Sequence, residues 1–99
     1  MKPEQMTEAL EAAAKQLGVR VRYEALAPAT VTGAGGLCRV KGEWWVIIDK
    51  KTSPSERATV LAEALAAFDT DDVFLPPKVR EMVQHHRATR AAGKPASPG

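Results

Sequence analysis

Residues 53–68, Ser-Pro-Ser-Glu-Arg-Ala-Thr-Val-Leu-Ala-Glu-Ala-Leu-Ala-Ala-Phe, constrain the fold more than any other stretch. Ser53 suits a helix N-cap because its hydroxyl can accept from the orphan first-turn amides. Pro54 fits the next position, where no N–H is needed, and Glu56 completes a Ser-x-x-Glu capping box. On a helical wheel Val60, Leu61, Ala64, Leu65 and Phe68 fall within roughly 140°, an apolar face expected to lie on a sheet. Ser55, Ala58, Thr59, Ala62 and Ala66 make a second stripe of small residues, along which another element can approach closely.

A hairpin leads into this helix. Residues 37–40 and 44–49 are strand-like runs separated by Lys41-Gly42-Glu43, a short glycine-containing connection. Trp44-Trp45-Val46-Ile47-Ile48 is apolar at every position, which predicts a central strand covered by helices on one side and partly shielded on the other. Trp44 and Trp45 point to opposite faces and cannot both enter one small core. One of them is expected either at a surface or interface, or lying over a loop or helix end.

Upstream, Met6, Leu10, Ala13, Ala14 and Leu17 recur at spacings of three and four, predicting a helix over 3–17 that Gly18 terminates. Residues 19–24 alternate, with Val19, Val21 and Tyr23 on one face and Arg20, Arg22 and Glu24 on the other, as in a half-buried strand. Residues 25–36 are rich in Gly, Pro and Thr and read as a loop. Its glycines lack the Gly-Lys-Ser/Thr ending of a phosphate loop and precede a strand rather than a helix.

Downstream, Asp69, Asp71 and Asp72 form an acidic turn, too short for a calcium loop. A proline-stiffened connector then leads to a third helix over 78–91 with Val79, Met82 and Val83 on one stripe. The expected domain covers 1–91, and 92–99 form a mobile tail unable to build a core. The fold class is therefore α+β, with a small three-stranded, mostly antiparallel sheet packed by three helices in the order α-β-β-β-α-α.

Composition bounds the function. Ninety-nine residues, 44% hydrophobic and 26% charged, suit one domain without a deep enclosed site. A net charge of +2 does not by itself argue for a nucleic-acid or membrane partner. The single cysteine, Cys38, excludes an internal disulfide and fits a reducing compartment. No basic segment followed by an apolar run opens the sequence, and no run approaches the ~20 apolar residues of a membrane span, so a cytoplasmic location is expected. Neighbouring helix residues point about 100° apart, so His85 and His86 cannot readily grip one ion. No catalytic residue, metal or cofactor is expected.

The order helix, strand, glycine-bearing loop, hairpin ending Val46-Ile47-Ile48-Asp49, then capped helix resembles the N-terminal part of the ImmA/IrrE-type zinc peptidase domain, a zincin-like scaffold. That family carries His-Glu-x-x-His on the capped helix, with two zinc-binding histidines and a general-base glutamate. The best-matching positions here are Ala62-Glu63-Ala64-Leu65-Ala66. Glu63 matches the glutamate, and Ala62 and Ala66 occupy the histidine positions. Alanine cannot ligate zinc, and a glutamate without a metal-bound water has no peptidase role. The resemblance thus implies a degenerate, non-catalytic scaffold.

The expected function is a protein-interaction or regulatory module with an unidentified protein partner. Its candidate surface comprises Ser55, Thr59, Ala62, Glu63 and Ala66, bordered by Trp44 or Trp45. The same stripe is equally open to being filled by the third helix. The alternative is a nucleic-acid-binding accessory protein using Arg80, Arg87, Arg90 and Lys94. No aromatic residues interleave with those cations, so such binding would be salt-dependent and poorly specific. An exposed tryptophan and an apolar sheet edge also make a homodimer plausible.

Overall fold

The computed structural model describes residues 2–25 and 35–93, with side-chain surroundings described for 2–25 and 36–89. The elements are α1 (Pro3–Gln16), β1 (Arg20–Glu24), β2 (Gly35–Val40), β3 (Glu43–Asp49), α2 (Pro54–Leu65) and α3 (Pro77–Gly93). This is the α-β-β-β-α-α order expected. Most of the loop expected over 25–36, and the end of the tail from 94, lie outside the described residues. The third helix runs to Gly93, two residues past the expected domain boundary.

Each helix end has a local cause. At the end of α1, the Val19 N–H donates to the Ala14 carbonyl at 2.8 Å and the Gly18 N–H to that of Lys15 at 3.1 Å. Gly18 has φ +78°, so the chain leaves the helix through a left-handed glycine, and its own and the following N–H turn back to carbonyls of the last turn. At the start of α2, Ser53 Oγ accepts from the Glu56 N–H at 3.2 Å, and Glu56 Oε1 accepts from the Ser53 N–H at 3.0 Å. The capping box forms in full. Helix α2 stops at Leu65, three residues short of the expected Phe68, because Ala67 and Phe68 close tighter bonds to the carbonyls three residues back.

The sheet corrects one expectation. Its order is β1-β3-β2, with β2 antiparallel to β3 and β1 parallel to it, so it is mixed rather than mostly antiparallel. Strand β3, apolar at every position from Trp44 to Ile48, takes the centre, where both of its edges are hydrogen-bonded, and the alternating strand β1 takes an outer position. The hairpin forces β2 to run antiparallel. Its loop is the two-residue Lys41-Gly42, with φ +51° and +83°, the conformation that matches strand twist in tight hairpins.

All three helices contribute to a core on one face of the sheet. Val46 and Ile48 of β3 are fully buried together with Leu10 of α1, Leu61 and Leu65 of α2, and Val79 and Val83 of α3. Trp44 packs against this cluster, its ring meeting Phe68 edge-on at 5.7 Å. Trp45 and Ile47 alternate to the opposite face. Among the described residues, no helix is long and apolar enough to cross a membrane.

Candidate functional site

The small-residue stripe of α2 divides in two. Ser55, Thr59 and Glu63 are exposed, whereas Ala58, Ala62 and Ala66 are buried within the core cluster that contains Val79 and Val83. Ala62 and Ala66 are therefore not available as a contact surface. Alanine side chains let helices close on one another, and burying the apolar stripe of α3 is favourable at about 25 cal/mol per Å². The Thr59 hydroxyl donates back to the Ser55 carbonyl at 3.1 Å, which occupies its donor within the helix.

A groove nevertheless borders α2. It has a volume of about 260 Å³ and lies between the helix and strand β2, lined by Gly36, Leu37, Val60, Glu63 and Ala64. Among the described residues, strand β2 hydrogen-bonds to β3 on one side only and is a sheet edge. The groove therefore combines an edge-strand backbone, apolar walls from Leu37 and Val60, and the Glu63 carboxylate. Neither tryptophan lines it. Among the described residues, no three His, Cys, Asp or Glu side chains converge as metal ligands would.

The two tryptophans have separate surroundings. Trp44 lies on the helix-covered face beneath the Arg39 guanidinium, 5.1 Å from the ring centroid. Trp45 lies on the other face under two guanidinium groups, Arg20 at 5.4 Å and Arg22 at 5.5 Å. Arg20 also pairs with Glu43 at 3.3 Å and Arg22 with Glu24 at 2.8 Å. The register explains the cluster, since Arg20 sits directly opposite Trp45 on the neighbouring strand. Trp45 Nε1 is buried without a hydrogen-bond partner among the described residues. Cys38 is half-buried opposite Trp45 on the other side.

A second cleft, of about 220 Å³, was not evident from residue order. Glu4, Glu8 and Glu11 line it from α1, facing Tyr23 and Arg57. The Tyr23 hydroxyl donates to Glu11 Oε2, and the Arg57 guanidinium lies 5.0 Å from the Tyr23 ring centroid while donating to the Lys50 carbonyl at 2.9 Å. Desolvation of the hydroxyl raises the Tyr23 pKa well above its ordinary value. The hydrogen bond to Glu11 and the Glu11 charge add to the rise, and Arg57 opposes it. The helical spacing of the three glutamates was the signal available in the sequence.

Two of the basic residues of α3, Arg80 and Arg87, have different surroundings. Arg80 is exposed, but Arg87 turns inward. Its Nη2 donates to the Phe68 carbonyl at 2.6 Å and to Thr70 Oγ1 at 3.4 Å, and its Nε donates to the Ala66 carbonyl at 3.4 Å. Arg87 thus caps the C-terminal end of α2 through its Nε and Nη2. The Arg90 side chain and Lys94 lie outside the described residues. His85 and His86 meet edge-on with ring centroids 5.6 Å apart. Comparison of the chain with protein-family models, curated proteins and solved structures gives no match.

Proposed function

We propose that the chain is a non-catalytic protein-interaction module on a degenerate metallopeptidase-like scaffold, and that it receives its partner in the groove between α2 and edge strand β2. The observation that carries this reading is the groove itself, with a strand edge that is unpaired among the described residues on one wall and Glu63 on the other. An open edge offers backbone N–H and C=O groups to an added strand, and side-chain contacts beside it supply specificity. Glu63 favours a basic residue in the partner. Ala62 and Ala66 contribute indirectly, by letting α3 pack and so holding Glu63 at the rim.

Affinity capture from the source cell tests the reading. The wild-type chain is expected to retain one protein near stoichiometry. Glu63→Arg, an exposed substitution that reverses the groove's charge, should reduce its recovery tenfold or more while leaving the circular dichroism unchanged. A partner retained equally by Glu63→Arg would refute the groove as the site. One equivalent of zinc in the purified protein would replace the reading with a hydrolase.

A further inference from the structure

The connector between α2 and α3 carries a feature that the groove does not use. Phe74 is 73% exposed, while its neighbours Val73 and Leu75 are buried at 6% and 3%. Local hydrogen bonds shape the turn before it. The Val73 N–H donates to the Thr70 carbonyl at 3.1 Å, the Asp71 N–H to Asp69 Oδ1 at 2.9 Å, and Arg87 holds buried Thr70 from beneath. Single exposed apolar residues are common on protein surfaces. Phe74 differs in being a large aromatic held between two buried residues, Val73 and Leu75, whose burial sets the direction of its side chain away from the core.

Its chain neighbours carry opposite charges. Exposed Asp69, Asp71 and Asp72 precede it, and exposed Lys78 and Arg80 follow it on the first turn of α3. Glu81, also exposed, lowers the charge of the basic side. A two-fold interface sets a segment against its own reverse, so a segment that is acidic before an apolar centre and basic after it along the chain is complementary to itself when two copies meet in opposite directions.

We infer that two copies of the chain associate about a two-fold axis at Phe74, the acidic turn of each facing Lys78 and Arg80 of the other. The paired Phe74 rings form the apolar centre, and the charges set orientation. A small interface of this kind gives a weak, salt-sensitive dimer. It lies apart from the groove, so Glu63→Arg should leave it intact.

Sedimentation velocity at low salt, up to about 1 mM protein, tests the inference across the affinities a small interface reaches. The wild type should show a monomer–dimer equilibrium that weakens as salt is added. Phe74→Ala, exposed and so expected to fold, should raise the dissociation constant roughly tenfold or more, as loss of a central aromatic anchor does. The double variants Asp71→Lys/Asp72→Lys and Lys78→Glu/Arg80→Glu should each be monomeric where the wild type dimerises, and an equimolar mixture of the two should regain a heterodimer. A wild type monomeric throughout, a dimer unaffected by Phe74→Ala, or a mixture that stays monomeric would each overturn the inference. Should a double variant unfold, the Phe74→Ala result decides alone.

Discussion

Arg87 distinguishes a structural role from a nucleic-acid role in one residue. Replacing it by alanine removes one short charge-assisted bond, to the Phe68 carbonyl at 2.6 Å, and two long ones at 3.4 Å to the Ala66 carbonyl and Thr70. A hydrogen bond to a charged group contributes about 1.5–3 kcal/mol, and a cation at a helix C-terminus about 0.3–1 kcal/mol. The long bonds add little, so Arg87→Ala should cost about 2–3 kcal/mol. For a domain of this size that lowers Tm by roughly 10–20 °C. Arg87→Lys keeps the charge but loses the planar fork and should fall between, near 1 kcal/mol. Urea unfolding followed by far-ultraviolet circular dichroism reads the loss as a shift in midpoint at constant slope. Exposed Arg80→Ala serves as the control, expected to stay within about 0.5 kcal/mol of wild type. If Arg87→Ala were as stable as Arg80→Ala, and instead weakened low-salt binding to DNA or RNA, the capping role would be refuted.

Two further outcomes follow from other parts of the fold. Gly18→Ala should destabilise by about 1–2 kcal/mol in the same urea assay, because a side chain is strained at φ +78° although nothing lies within 4 Å of its Cβ; an unchanged midpoint would contradict the cap geometry. The Tyr23 pKa is raised in the folded protein, so its contribution is complete below the ordinary tyrosine value near 10 and is lost as pH rises beyond it, where only the unfolded chain has released the proton. Thermal unfolding between about pH 9 and 11 should therefore fall more steeply for wild type than for Tyr23→Phe, and equal slopes would argue against the Tyr23–Glu11 contact.

Elements whose causes are local could be read from residue order. The Ser53–Glu56 box needs only four consecutive residues, and the stripe of Leu10, Ala13 and Ala14 needs only the helical period. The apolar β3 run identifies the central strand. Strand partners are a different matter. Whether β1 lies beside β2 or β3 is a long-range choice, and alternation within β1 is the same in both cases. The covered half of the α2 stripe posed the same difficulty, since alanine suits an open groove and a helix interface equally. Arg20 and Arg22 are exposed, as strand alternation suggests, but their stacking over Trp45 could not be read locally because it depends on which strand lies alongside β1.

The sequence by itself determined where the helices begin, which strand is central, and that one side of the second helix carries only small residues. These depend on side-chain chemistry and short-range periodicity. Only the tertiary structure decided that Ala62 and Ala66 are sealed in the core, that Glu63 remains at the rim of a groove beside β2, and that Arg87 is turned toward the end of α2. The physical reason is burial. Which apolar stripe meets which is a property of the whole packed arrangement, and it determines which polar groups remain free to meet anything else.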